Sequence, residues 1–438
     1  MIVSGGRGPI ASGVMNHDTL APPAASAAVL RDALVDQLTT VRTPAVEAAM
    51  RAVPRHLFVP GASLADAYIN APVHIKHQAD GTSISCASQP SVVAQMLEQL
   101  QARPADRVLE LGAGSGYNAA LLATLVGDDG HVTTVEMDGD LVTGARAHLA
   151  AAGIRNVEVV PGDGAFGHAS GAPYDRIVAT VGAHGVPRAW LDQLAPGGRL
   201  LVPLRLAGSV CRSVAFERSE RSEQSEGAGG AEGRWRSVGS AMNTFVPLRG
   251  ETAGDPRRVV PLTADGSVRL PVGAGQPVDA EALSDVLAAP RTVAWTGVCY
   301  RAMESPEWME LWLACALPSG LNRMLFPLAA KGGLLADDPY PSSSAAFDGG
   351  ALAYLARRLS ERTTEDGGKL WEFGVVGHGP GAESLVDRVV EAMRAWDRDW
   401  RGREAGFELL PLDAAAPEPG PGRFVLDTPL NRMVVDWS

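Results

Sequence analysis

Between Val108 and Tyr117 the sequence reads VLELGAGSGY, an apolar run with one acid, Glu110, followed by glycines at 112, 114 and 116. A buried strand that feeds a glycine-rich turn into a helix lets a nucleotide-type ligand approach backbone at the carboxyl edge of a parallel sheet. The spacing narrows the ligand. A dinucleotide loop, G-x-G-x-x-G, needs its third glycine at position 117, which is Tyr117. No G-x-x-x-x-G-K-[ST] is present, so a nucleoside triphosphate has little support. Glu136 stands about 20 residues beyond Gly116, where a carboxylate can take both hydroxyls of an adenosine ribose. Asp163, in PGDG, ends a third strand and suits the adenine edge, while Glu110 at the mouth of the first suits a positive centre and an amino group. S-adenosylmethionine meets all these demands. Tyr117, Asn118, Met137 and Gly164, which flank the glycines and acids, complete this part of the predicted cofactor site.

Alternating elements must hold those residues. RVLELG, HVTTVEMD, VEVVPGDG, YDRIVATV and GRLLVPL read as strands, and YNAALLATLV, DLVTGARAHLAAAG with Gly153 as its cap, and RAWLDQLAPGG as helices. Strands and helices alternating in this way predict a parallel sheet covered on both faces. CRSVAFER and RWRSVGSAMNTFVPL then predict an antiparallel hairpin with a mobile tip, SERSEQSEGAGGAEG, and close a first domain over 27–250. Upstream, helical spacing starts near Ala27, prolines stop it at Val53 and Pro60, and a further helix runs from Pro90 to about Leu100. Residues 1–26 are small and aperiodic and read as a mobile tail.

Residues 251–438 contain no second glycine loop. Strand-like RTVAWTGVCY, KLWEFGVVG and GFELLPL alternate there with helix-like PEWMELWLACAL and AESLVDRVVEAMRAWDRDW, which predicts a second α/β domain. Trp308 and Trp312, and likewise Trp396 and Trp400, lie four apart on a helical face and are expected in the core.

The chain of 438 residues carries 50 acids against 38 bases, a net charge of −12, which disfavours a nucleic-acid partner. No apolar run is long enough to cross a bilayer and no signal peptide opens the sequence, so a cytoplasmic protein with no membrane partner is expected. The four cysteines, at 86, 211, 299 and 315, are widely spaced, which predicts reduced thiols and no metal site.

GTSISCASQPSVVAQML, VLELGAGSGYNAALLATLVG, VTTVEMD, NVEVVPGDG, APYDRIVAT, QLAPGGRLLVPL and FVPL occur in the order in which the protein-L-isoaspartate O-methyltransferase family carries its motifs, and the chain resembles that family over about residues 40–250. The resemblance implies a doubly wound, seven-stranded class I S-adenosylmethionine methyltransferase fold and a carboxyl O-methyltransferase. It places Ser88, in SQP, at the hydroxyl-bearing turn that covers the cofactor and orients the acceptor carboxylate; capping of the helix after Pro90 is the alternative role. Ser85 in the same turn and His184 in VGAHGVP are the other catalytic candidates, with Thr82, Ser83 and Cys86 nearby. The turn, SISCASQP, is longer than in the repair enzymes. With the long second half, this resembles the branch that tailors ribosomally made lanthipeptides or graspetides, esterifying an aspartate of a cyclised precursor that then closes to an aspartimide. General isoaspartyl repair and a non-catalytic recruitment module are the competing readings. The partner expected is a modified precursor peptide, the state expected is a monomer, and residues 251–438 are expected to form a substrate-recognition domain beside SISCASQP while the first domain binds cofactor by itself.

Overall fold

Thr43 accepts the N–H of Val46, and Pro44 occupies the first helical position, where its missing N–H costs nothing. The helical stretch predicted from Ala27 is therefore two helices, α1 (Ala27–Gln37) and α2 (Pro44–Ala52), the second ending at Val53 as the following proline requires. The computed structural model describes residues 26–79, 81, 83–218, 234–250, 257–273, 276–327 and 340–438. The predicted tail, the predicted tip of the SERSEQSEGAGGAEG hairpin and Thr82 fall outside the described residues.

A short helix, α3 (Leu64–Ala67), leads to an antiparallel hairpin of β1 (Val73–His77) and β2 (Ser83–Ala87), then to α4 (Pro90–Leu100). The predicted alternation follows: β3 (Arg107–Leu111), α5 (Tyr117–Val126), β4 (His131–Glu136), α6 (Gly139–Ala151), β5 (Val157–Pro161), β6 (Tyr174–Ala179), α7 (Arg188–Asp192) and β7 (Leu194–Arg205). Strands β3 to β7 pair in parallel, and β8 (Cys211–Arg218) and β9 (Trp235–Met242) add antiparallel beside β7. Their order, β9-β8-β7-β6-β3-β4-β5, gives the doubly wound arrangement of seven strands that the resemblance implied, with the last two added in sequence order beyond β7. The order reverses between β6 and β3, which opens the crevice in which such sheets bind ligand. Gly153 takes a φ of 73° just past α6, as its predicted capping role demands.

The second half is richer in strand than its sequence suggested. After the hairpin of β10 (Arg257–Pro261) and β11 (Arg269–Gly273) come β12 (Arg291–Arg301), α8 (Glu307–Ala316), β13 (Asn322–Arg323), β14 (Tyr340–Asp348), β15 (Ala351–Thr363), β16 (Lys369–His378) and α9 (Ala382–Asp399). The sheet they form, β12-β16-β15-β14-β13, is antiparallel throughout, so this half does not repeat the parallel arrangement of the first. The last three strands, β17 (Gly406–Leu410), β18 (Arg423–Asp427) and β19 (Arg432–Asp436), return to the first sheet, where β17 pairs with β9 at Leu409 and Trp235. The boundary expected at residue 250 is thus crossed by a ten-stranded sheet. A single buried cluster runs across it from Leu109 and Trp190 to Trp312, Trp396 and Met433.

Trp312 stacks on Trp400 at 5.9 Å and meets Trp437 edge-on at 5.4 Å, so the spaced tryptophans serve packing as predicted. The second half also grips the carboxyl edge of the sheet. Asn431 accepts the N–H of Val186 in the loop after β6, Leu321 accepts that of Ser209 in the loop after β7, and Glu307 pairs with Arg212 at 2.8 Å. Among the described residues, no helix is long and apolar enough to cross a membrane.

Candidate active site

Strand β3 ends in a loop whose glycines each meet a separate demand. Gly112 has a φ of 104°, and a Cβ there would lie 2.6 Å from Thr180 Oγ1, which donates to the carbonyls of Leu111 and Gly112. Gly114 has a φ of 52°, lies beneath Ser85 and lines a cleft. Gly116 lies against Ala145 of α6 and does not line it, so its part is helix packing.

The cleft holds about 480 Å³, within the range of small-molecule and cofactor sites. Its walls are the β2–α4 turn with Ser85, Cys86 and Ser88, the glycine loop with Tyr117 and Asn118, the end of β4 with Glu136 and Met137, Gly164 after β5, and residues 244–249 after β9. Glu136 is 7% exposed; its Oε2 accepts the N–H of Gly114 at 2.9 Å and its Oε1 that of Asp138 at 3.1 Å. Each carboxylate oxygen keeps a second acceptor direction, so the pair of ribose hydroxyls predicted there can still be bound. A cradle of glycine backbone beside an acceptor carboxylate, in a crevice of this size, fits S-adenosylmethionine.

Four predicted residues are not among those that line the cleft. Glu110 is fully buried within β3, not at its mouth, and takes hydrogen bonds from Thr134 Oγ1 at 2.5 Å and Asn118 Nδ2 at 2.7 Å. Burial pushes its carboxyl up to about 7, against the lowering effect of both donors. It acts on the cleft through Asn118, which lines it. Asp163, predicted for the adenine edge, accepts the N–H of Ala165 at 2.8 Å, capping a short 3-10 turn, and packs against Gly250, while its neighbour Gly164 lines the cleft. His184 does not line the cleft either, because the two residues after it are packed under Thr428, Leu430 and Asn431. Gly116 is the fourth, for the reason given above.

Ser88 lines the cleft, and the alternative role as helix cap is not the one it takes. Gln89 is the N-cap of α4, with no side-chain capping bond. Burial raises the Cys86 thiol above its usual range, which suits packing rather than nucleophilic attack.

The sequence reading missed residues 244–249 as a wall of the cleft. Arg249 Nη2 lies 2.6 Å from Asp138 Oδ2, and Lys76 of β1 lies 3.2 Å from the same oxygen, so three segments meet at one carboxylate beside Met137. Arg249 first, and Lys76 after it, hold Asp138 below the usual carboxylate range despite its partial burial. The one signal in sequence was a lone basic residue closing FVPLR, too slight to read without the fold.

A cleft that brings a hydroxyl-rich turn over a sulfonium cofactor can align an acceptor atom with the methyl group and exclude water, which is most of what a carboxylate nucleophile needs. Residues 29–227 match the family described as protein-L-isoaspartate(D-aspartate) O-methyltransferase. A protein-L-isoaspartate O-methyltransferase from Methanoregula boonei is 48% identical over 164 residues, which cover 37% of this chain and 71% of that protein. Protein-L-isoaspartate O-methyltransferase 1 of Rhodopseudomonas palustris is 45% identical over 46% of this chain and 80% of its own length, and protein-L-isoaspartate O-methyltransferase 2 of Archaeoglobus fulgidus is 41% identical over 46% and 84%. With that likeness added to the sheet order and the cleft, the chain belongs to the protein-L-isoaspartate O-methyltransferase family and is an S-adenosylmethionine-dependent O-methyltransferase.

Proposed function

We propose that the chain esterifies the side-chain carboxylate of an aspartate in a ribosomally made, cyclised peptide, giving a methyl ester that the next backbone amide attacks, closing an aspartimide with loss of methanol. The observation carrying this reading is the attachment of residues 251–438 to the loops after β6 and β7, on the edge of the sheet where the cleft opens. Selecting one aspartate in a constrained peptide requires contact surface beyond the reacting carboxylate, and this half supplies such surface beside the site.

When bound, S-adenosylmethionine would supply an electrophilic methyl carbon, to which a carboxylate oxygen bonds as the carbon–sulfur bond breaks and S-adenosylhomocysteine leaves. Ser88 donates a hydrogen bond that orients the carboxylate, and Ser85 lies beside it over Gly114. A carboxylate is already ionised at neutral pH, so no general base is required of His184. Glu136 and the glycine loop would hold the ribose end, and residues 244–249 would exclude water.

Repair of isoaspartyl residues is the second reading. It is favoured by the names of the relatives and by a cleft lined wholly from residues 72–249. Both readings require methyl transfer to a carboxylate oxygen, which isotope-labelled methyl tests. The label should appear on the acceptor aspartate, be released by mild base, and be lost when that aspartate is replaced by asparagine. Label that survives base or tracks another residue rejects both.

A further inference from the structure

Arg55 is the first residue of the 3-10 turn Arg55–Phe58, and it is 1% exposed. Among the described residues it has no carboxylate partner, and its Nη1 has no hydrogen-bond acceptor. Burying an unpaired guanidinium costs several kcal/mol, so its placement calls for a compensating role. Its three contacts suggest one. Nε donates to the carbonyl of Ala67 at 3.0 Å, Nη2 donates to the carbonyl of Ala87 at 3.2 Å, and the guanidinium carbon lies 4.9 Å from the centre of the Tyr117 ring. Ala87 is the last residue of β2 and directly precedes Ser88; Tyr117 opens the helix that follows the glycine loop. One side chain therefore braces the acceptor turn against the cofactor loop from behind.

We propose that Arg55 is a positioning residue for methyl transfer, fixing the backbone ahead of Ser88 and placing a permanent positive charge behind the turn that receives an anionic acceptor. Resting on the reading of that turn as the carboxylate site, this adds what draws the anion in. The acceptor must leave water to reach the methyl group, and a low-dielectric cleft opposes that transfer. A fixed cation on the far side of the turn offsets part of it without touching the substrate, and arginine keeps its charge where a buried lysine loses it. Burial draws the Arg55 pKa down, with Tyr117 and Cys86 acting in the opposite sense.

The test uses the full chain with Arg55→Lys and Arg55→Met, measuring S-adenosylmethionine affinity, acceptor KM and kcat, and amide hydrogen exchange over residues 83–89. One amine cannot span both carbonyls, so Arg55→Lys should lower kcat about tenfold while acceptor KM changes little; Arg55→Met should also raise acceptor KM by about tenfold. Cofactor affinity should stay within about twofold in both, and exchange over residues 83–89 should rise in Arg55→Met. The proposal is overturned if both variants keep the wild-type kcat and KM, or if activity falls only in step with the folded fraction. Should the wild type methylate no carboxylate, the assignment of function falls by itself, and the exchange over residues 83–89 still decides whether Arg55 braces the turn. Unchanged exchange in folded Arg55→Met overturns it, and so does failure of both variants to fold, because that makes Arg55 a core residue.

Discussion

The carboxylate of Glu136 accepts the N–H of Gly114 across the floor of the cleft at 2.9 Å, so the group expected to hold the cofactor ribose also sets the shape of the glycine loop. Binding then requires little reorganisation of the loop, and a change at Glu136 removes two functions together.

Glu136→Ala should weaken S-adenosylmethionine binding by at least about tenfold, since hydrogen bonds to a charged group contribute about 1.5 to 3 kcal/mol each. Calorimetry checks it. Glu136→Gln, which keeps the shape and one acceptor, should fall between the two, and unchanged affinity in the alanine variant removes Glu136 from the site.

Ser88→Ala should lower kcat by about tenfold with little change in cofactor affinity or melting temperature. The thermal control is informative because Gln89, not Ser88, is the N-cap of α4. A fall in melting temperature without a kinetic defect would return Ser88 to a structural role.

Glu110 gives a pH test. Its carboxyl titrates near 7 when folded and at the ordinary, lower carboxylate value when unfolded. Between about pH 4.5 and about pH 7 the folded chain keeps a proton that the unfolded chain has lost, so stability falls by about 3 kcal/mol as pH rises through that window. Urea unfolding at about pH 5 and about pH 8 should show this fall in the wild type and a flatter profile in Glu110→Gln. Equal pH dependence in the two proteins would rule Glu110 out as its source.

Legibility followed local signals. The glycine loop, α4, α5 and β8 could be read because apolar period, glycine and proline all point the same way at Pro90–Leu100, Tyr117–Val126 and Cys211–Arg218. Strand β15 could not, since Leu352, Leu355 and Leu359 have helical spacing, and only pairing with β14 and β16 makes it a strand. Glu110 and Asp163 were expected in the cleft because they end or approach strand ends. Whether an acid there faces ligand or core depends on the partners that close over it, Thr134 and Asn118 for one and Gly250 for the other.

Arg249→Ala should raise the cofactor dissociation rate by about two- to fivefold, and high salt should do the same to the wild type. Its pair with Asp138 is partly exposed to solvent and contributes no more than about 1 kcal/mol. Stopped-flow release without any salt dependence would show that the pair does not hold the cleft closed.

Truncation after Arg249 should not yield a folded cofactor-binding domain, contrary to the expectation from sequence. It removes β17, β18 and β19 from the sheet, leaves β9 as a bare edge, and uncovers Trp235 where Phe407, Leu409 and Met433 shared its cluster. Loss of cooperative unfolding is the expected result; a fragment with a sharp transition and full cofactor affinity would contradict it.

Substrate choice is tested most directly by offering the full-length enzyme two acceptors in one reaction, a linear isoaspartyl peptide and a cyclised precursor peptide containing aspartate, with labelled S-adenosylmethionine. The ratio of their kcat/KM values gives the discrimination free energy. A preference of about tenfold or more for the cyclised peptide, corresponding to about 1.4 kcal/mol, is the predicted result. Equal use of both, or preference for the isoaspartyl peptide, would contradict the account and make this a repair enzyme.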